Sequence, residues 1–147
     1  VPFPVQAHDG LATKITPFEA VWYRKQLLLP SEWLTSADRL LLHVDACDWE
    51  CTFFLNRRMI GSHSGAYDPF VFDITDLLRR VLNAEGASSP LELSIRAWDP
   101  TDFGCEFIDE PATPCEECCG SAFQPRGKQS LNPGFIMYSG VTGIWRQ

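Results

Sequence analysis

Apolar and polar residues alternate with a period of two in three segments of the chain, residues 39–46, 49–56 and 91–98. This period is typical of β-strands with one face turned to a core. In the second segment, Cys51, Phe53 and Leu55 share the face predicted to be buried. A fourth segment, residues 21–29, is rich in aromatic and aliphatic side chains and stops at Pro30, so it is also a predicted strand.

The segments between these strands contain turn formers and little helical periodicity. Asn56-Arg57-Arg58 predicts a hairpin, because Asn tolerates the backbone angles of a tight turn, and Met59-Ile60 begins the return strand. Asp73 or Thr75 is suited to cap a short helical turn that ends at Arg79. No long amphipathic helix is predicted. Many short strands joined by turns indicate an all-β fold, an antiparallel β-sandwich.

Composition narrows the class of protein. The chain has 147 residues and a formal net charge of −7, which suits one domain with its own core. No basic stripe of the kind that binds nucleic acid is present, and no apolar run approaches the roughly 20 residues that span a membrane. The chain opens without Met and stops within a predicted strand, so we expect it to be part of a longer polypeptide.

A series of short motifs resembles one protein family in order and spacing. The motifs include Val1-Pro2-Phe3-Pro4, Val21-Trp22-Tyr23-Arg24-Lys25, Asp48-Trp49-Glu50, Tyr67-Asp68-Pro69-Phe70, Trp98-Asp99-Pro100-Thr101-Asp102, Gln124-Pro125-Arg126-Gly127-Lys128-Gln129 and Gly143-Ile144-Trp145. Together they resemble the N-terminal sugar-binding domain of glycoside hydrolase family 2, the β-galactosidase and β-glucuronidase group. The resemblance covers nearly the whole chain and implies a jelly-roll sandwich of the galactose-binding type, with residues 1–147 as a single domain.

The resemblance also implies where the chemistry lies. In this family a later (β/α)₈ barrel supplies two glutamates, and a retaining mechanism needs its two carboxyl groups about 5–5.5 Å apart. We therefore expect no catalytic residue and no cofactor in this chain. Its expected partners are immunoglobulin-like and barrel domains further along the same polypeptide, and a carbohydrate substrate. The alternatives are a stand-alone carbohydrate-binding module and a scaffold that has lost the enzyme.

Four polar or aromatic residues are candidates for substrate contact. The resemblance places the loop with Arg126, Lys128 and Gln129 near the mouth of the barrel's active site, and Tyr138 can stack on a sugar face. A surface or interdomain contact is the other interpretation of these residues. One departure affects substrate preference, because family members carry an acidic residue near Phe135-Ile136-Met137-Tyr138 and this chain has none there.

Residues 61–75 combine turn formers with reactive side chains. The family resemblance makes this stretch a structural bend between strands, with a contribution to a sugar-facing lip as the alternative. Ser62 or Ser64 with His63 and Asp68 has the composition of a catalytic triad, but the strained elbow typical of such sites is absent. Two carboxylate pairs, Asp48 with Glu50 and Asp99 with Asp102, are further candidates; we favour a polar or domain-facing surface for both.

Four of the six cysteines lie in an acidic segment, residues 104–123, which we interpret as an inserted loop. The four are Cys105, Cys115, Cys118 and Cys119. Disulfides within the loop, free thiols and a zinc site all remain open, since C-x2-C is only half of the usual zinc pattern. The other two, Cys47 and Cys51, are predicted to lie about 13 Å apart on one strand, too far to bond to each other.

Overall fold

Two layers of strands make up most of the fold. The computed structural model describes residues 4–8, 15–16, 18–30, 32–33, 38–85, 90–100, 124–125, 127–130 and 134–146. The elements are α1 (Val5–His8), β1 (Val21–Leu27), β2 (Leu41–Val44), β3 (Cys47–Asp48), β4 (Glu50–Leu55), β5 (Arg58–Ser64), β6 (Phe70–Asp73), α2 (Thr75–Glu85), β7 (Leu91–Trp98), β8 (Gln129–Ser130), β9 (Tyr138–Ser139) and β10 (Gly143–Ile144).

The main sheet has four antiparallel strands in the order β1-β7-β4-β5. Strands β4 and β5 form the predicted hairpin, and both Asn56 and Arg57 have the positive φ of a two-residue turn, 44° and 65°. The Asn56 side chain fastens this turn to β7, because its Oδ1 accepts the N–H of Glu92 at 2.7 Å and its Nδ2 donates to the Pro90 carbonyl. The hairpin prediction is confirmed.

The second layer is the antiparallel pair β2–β6, and the core lies between it and the main sheet. Phe53 of β4 is fully buried and packs against Phe70 and Phe72 of β6, with ring centroids 5.6 and 5.3 Å apart. Gly61 lies within β5 rather than in the bend, and its lack of a side chain admits the Phe72 ring, whose Cε1 lies 2.6 Å from where a Cβ would stand. The all-β sandwich is confirmed.

Helix α2 is longer than the predicted helical turn. It spans Thr75–Glu85, and Asp73 begins it by accepting both the N–H and the hydroxyl of Thr75. Leu78 and Val81 are buried against Leu55 of the main sheet. The prediction of only a short turn was wrong, because the apolar residues of Thr75–Glu85 form one face of a full helix, and packing of this face on the sheet end stabilises it.

Cys47 and Cys51 form a disulfide, with their Cα atoms 6.3 Å apart, so the prediction that they cannot bond was wrong. The prediction assumed one continuous strand, but β3 ends at Asp48 and β4 begins at Glu50, with a bend at Trp49 between them. The Asp48–Trp49 peptide bond is cis. The N–H of Trp49 donates to the Trp98 carbonyl, and its own carbonyl accepts the N–H of Gly65.

The carboxyl-terminal elements are short pairs beside the sandwich. Strand β10 pairs antiparallel with β3, whereas β8 and β9 pair in parallel, unlike the other strand pairs in the described ranges. Gly143 in β10 has φ 86°, and a Cβ there would overlap the hydroxyl of Tyr23. None of the helices in the described ranges is long and apolar enough to cross a membrane.

Candidate functional site

Three of the four predicted contact residues lie together on the β8–β9 pair. Gln129 pairs with Tyr138 in parallel register, and the N–H of Tyr138 donates to the Lys128 carbonyl at 2.9 Å. Gly127 precedes them with φ 63°, a conformation that favours glycine. The side chains of Lys128 and Tyr138 are exposed, Tyr138 to 65%. Arg126, the fourth candidate, lies outside the described residues.

Gln129 has a structural bond within this pair. Its Oε1 accepts the N–H of Val141 at 2.6 Å, and the residue is half-buried. This bond uses the amide oxygen and ties β8 to the chain that enters β10. A sugar hydroxyl at this position would therefore accept a hydrogen bond from the amide nitrogen of Gln129. Lys128 offers an ammonium group to a ligand, and Tyr138 offers an aromatic face.

An exposed apolar lip adjoins these residues, and the sequence analysis missed it. Phe135 is 103% exposed with φ 54°, and Ile136 is 51% exposed. A turn, in which the N–H of Met137 donates to the Gly134 carbonyl, projects them beside Tyr138. The run of apolar letters after Gly134 was the available signal, but it matched a short strand equally well. Exposed apolar side chains grouped in one loop are typical of a surface that another molecule or domain covers.

A buried polar cluster lies beneath the β3–β10 pair. The Asp99 carboxylate accepts from Gln124 Nε2 at 2.7 Å and from the Thr142 hydroxyl at 3.2 Å, and Gln6 Nε2 donates to the same hydroxyl at 2.8 Å. Asp48 is 4% exposed, and burial together with the neighbouring Asp99 carboxylate raises its pKa to about 8. This cluster connects five separated parts of the chain.

The structure does not assemble the predicted carboxylate pair of Asp48 and Glu50. Asp48 is buried in β3, whereas Glu50 lies across the bend in β4 and pairs with Arg96 at 3.7 Å. Asp102 lies outside the described residues. Asp48 meets Asp99 instead, a pairing that no local spacing in the sequence indicates. Because both carboxyls are more than nine-tenths buried, their position suits a structural role rather than contact with a sugar.

The triad composition in residues 61–68 does not form a triad. The ring of His63 stacks on Phe70 with centroids 3.9 Å apart, whereas Ser62 and Ser64 are exposed on the opposite face of β5. Alternation along the strand separates the imidazole from both hydroxyls.

The bend that follows β5 packs on the carboxyl-terminal part of the chain. Tyr67 meets Trp145 edge to face, with centroids 5.9 Å apart, and the indole N–H of Trp145 donates to the Ala66 carbonyl. These contacts favour the interpretation of residues 61–75 as a structural stretch.

The cysteine-rich segment, with Cys105, Cys115, Cys118 and Cys119, lies outside the described residues. Within the ranges that the structure does describe, no group of three or more His, Cys, Asp or Glu side chains is placed to hold a metal ion.

Comparison with known proteins shows that the chain is similar in sequence to β-glucuronidases. No family model matches the chain. A β-glucuronidase of Bacteroides fragilis is 38% identical over 80 residues, 54% of this chain and 11% of that protein. The β-glucuronidase of Rattus norvegicus is 30% identical over 60 residues, 40% of this chain and 9% of that protein. The chain therefore spans only about a tenth of the curated relatives it matches.

A solved structure agrees with these sequence matches. The β-glucuronidase of Bifidobacterium dentium, complexed with coumarin-3-O-glucuronide, superposes with a TM-score of 0.54 at 25% identity. The superposition covers 69% of this chain and 15% of that one. Sequence and fold together confirm that the chain resembles the N-terminal sandwich domain of glycoside hydrolase family 2.

Proposed function

We propose that this chain is the non-catalytic N-terminal domain of a retaining β-glycosidase of the β-glucuronidase type. Its role is to pack against a downstream barrel and to form part of the wall of the active site there. The proposal is based on the 38% identity to a β-glucuronidase, in a match that covers only 11% of that protein's length. Relatives of that length have room for immunoglobulin-like and barrel domains in the same polypeptide.

The β8–β9 pair is the part of the surface that we propose faces the substrate. The ammonium group of Lys128 can pair with the carboxylate of a glucuronide, and the exposed ring of Tyr138 can stack on the sugar. Residues 134–139 contain no acidic side chain that would repel such a carboxylate. Charge and shape at this edge therefore favour an acidic sugar over a neutral one.

The buried polar cluster around Asp99 supports this role because it positions the segment that carries Lys128 and Tyr138. The Asp99 carboxylate accepts hydrogen bonds from Gln124, which precedes Lys128 in the chain, and from Thr142, which follows Tyr138. Both ends of the segment that carries Lys128 and Tyr138 are therefore fixed to the sandwich. A substrate-facing loop held at both ends loses little conformational entropy when it binds its ligand.

The experiment uses the polypeptide that carries this chain together with the residues after Gln147. We would measure kcat and KM on p-nitrophenyl β-D-glucuronide and on the matching galactoside, for the parent, Lys128→Ala and Tyr138→Ala. We expect the glucuronide to be preferred and each substitution to raise its KM about tenfold, roughly 1.4 kcal/mol of binding. Lys25→Ala, an exposed lysine of β1, is the matched control and should leave KM unchanged.

Two results would overturn the proposal. Hydrolysis by the 147-residue protein alone would place catalysis in this chain, and absence of hydrolysis in the longer polypeptide would favour a scaffold. Unchanged KM in both Lys128→Ala and Tyr138→Ala would remove the β8–β9 pair from the substrate site while leaving the enzyme assignment intact.

A further inference from the structure

The outer face of the main sheet carries an aromatic pair, of which Trp22 is exposed and Phe54 half-buried. Trp22 of β1 and Phe54 of β4 lie on either side of β7, and their rings stack across it with centroids 5.9 Å apart and an angle of 29°. Trp22 remains 54% exposed. The core lies on the opposite face, with Phe53 and Ile95, so this pair contributes nothing to it. A large aromatic surface held open on a rigid sheet is suited to bind a flat apolar ligand face.

A groove runs beside the two rings. It has a volume of about 340 Å³ and is lined by Trp22, Arg24, Phe54, Arg57, Glu92 and Ser94. A second depression of about 310 Å³ shares Arg57 and Glu92 with it and continues to Gln26 and Asn56. Because they share these two residues, the two depressions adjoin each other and offer more room together than either does alone. Every strand that lines them belongs to the main sheet, so the site is preformed.

The charges in the groove favour an anionic ligand. Arg24 and Arg57 stand against the single carboxylate of Glu92, in a chain whose net charge is −7. Arg24 lies 4.0 Å from Glu92 and is mostly exposed, so that ion pair is loose and exchangeable. Arg57 is held by the hairpin turn, where both central residues have positive φ. Guanidinium groups bind carboxylates with two parallel hydrogen bonds.

The remaining polar groups suit sugar hydroxyls. Glu92 Oε1 accepts the hydroxyl of Ser94 at 3.0 Å, and its other oxygen can accept from a ligand. Gln26 and the edge of the turn add further donors and acceptors within the second depression. Aromatic faces, cations and a hydroxyl-accepting carboxylate in one groove are together complementary to an acidic sugar, which has an apolar ring face, a carboxylate and several hydroxyls.

We infer that the Trp22–Phe54 groove is a binding site for an oligosaccharide that carries carboxylates, separate from the β8–β9 pair. Trp22 and Phe54 hold the sugar rings, Arg24 and Arg57 bind the carboxylates, and Glu92 accepts hydroxyls. The site captures a polymer or glycan chain on the surface of the domain and requires no hydrolysis. It therefore goes beyond the proposed function and stands whether or not the parent polypeptide is an enzyme.

The test is a titration of the 147-residue protein, labelled with ¹⁵N, with a hexasaccharide of alternating glucuronate and N-acetylglucosamine. We expect the indole N–H signal of Trp22 to shift, while that of Trp145, which donates to Ala66, stays in place. Calorimetry should show binding weakened at least tenfold in Trp22→Ala and in Arg57→Gln. Cellohexaose, which is neutral, should bind at least tenfold more weakly than the acidic hexasaccharide.

Matched controls separate this site from other surfaces. Arg79→Gln removes the same charge from helix α2, and Phe135→Ala removes an exposed ring from the other edge; neither should change the affinity. In the double variant Lys128→Ala/Tyr138→Ala the shift of the Trp22 indole signal should follow the same binding curve as in the parent, a readout local to the groove that distinguishes it from the proposed substrate edge. Thermal midpoints of all variants confirm that each is folded.

Three results would overturn the inference. The first is no shift of the Trp22 signal at millimolar hexasaccharide, which would make the aromatic pair a docking surface for another domain. The second is equal affinity for cellohexaose, which would remove the role of the two arginines. The third is equal affinity for a DNA oligonucleotide, which would reduce the site to attraction of any polyanion.

Discussion

Asp48 is a buried carboxyl whose ionisation opposes folding. It is 4% exposed, and burial, with the adjacent Asp99 carboxylate as a second cause, raises its pKa from 3.8 to about 8. A carboxyl in this state stays protonated in the folded protein at pH values where the unfolded chain has already released the proton. Replacement by Asn keeps the shape of the side chain while removing the proton that titrates.

The magnitude follows from linkage. Because the folded state binds the additional proton, the contribution of Asp48 to stability is complete below pH 3.8 and is lost as the pH rises toward 8. Within that window the free energy of unfolding should fall by about 1.4 kcal/mol per pH unit. The difference between Asp48→Asn and the parent should thus reach roughly 4 kcal/mol at pH 7, a large share of the stability of an ordinary domain.

The assay is urea unfolding at half-unit steps from pH 4 to pH 8.5, followed by the fluorescence of the tryptophans. We expect the variant to gain stability over the parent steadily with pH, with the two curves meeting near pH 4. Asp45→Asn, an exposed carboxyl in the neighbouring bend, should parallel the parent. A constant difference between Asp48→Asn and the parent across the range would refute the argument, because it would show that the carboxyl does not change its proton affinity on folding.

Two further predictions concern packing and acid stability. Gly143→Ala should destabilise the fold by about 2–4 kcal/mol, because the added Cβ would overlap the Tyr23 hydroxyl and the residue has a positive φ. In a double-mutant cycle measured by denaturation, Tyr23→Phe should recover part of this loss. No recovery would refute the contact. Hydrogen bonds from Thr75, with Arg39 adding to them, lower the pKa of Asp73 to about 2. Stability should therefore fall as the pH drops from 4 toward 2, and an acid titration in which Asp73→Asn retains the same fall would count against this cause.

The alternating pattern predicts the sheet well because it is a local property. Strand β7 spans Leu91–Trp98, as its pattern predicts, and in β4 the face with Cys51, Phe53 and Leu55 is the buried one. The hairpin at Asn56 is equally local, since a two-residue turn depends on backbone angles that few residue types tolerate. These features need no knowledge of what packs on them.

The features that the sequence did not predict depend on distant partners. The disulfide of Cys47 and Cys51 requires the bend at Trp49, which is held by hydrogen bonds to Trp98 and Gly65. The pairing of Asp48 with Asp99 requires β3 and the end of β7 to meet, which no spacing within one strand specifies. Sequence periodicity describes a strand with its neighbours along the chain, whereas these contacts are between strands.

Prediction of the Trp22–Phe54 groove from the sequence is limited in the same way, because local periodicity does not say what packs on each face of a strand. Phe53 and Phe54 are adjacent in β4 and both aromatic, so alternation alone states only that they lie on opposite faces. The layer β2–β6 decides between them, because Phe70 and Phe72 cover Phe53 and leave Phe54 to stack with Trp22 outside. The sandwich needs apolar side chains on only one face of its main sheet. The Trp22 and Phe54 rings on the other face add nothing to the core; their stacking across β7 stabilises the sheet itself and leaves an aromatic surface for the oligosaccharide that we infer.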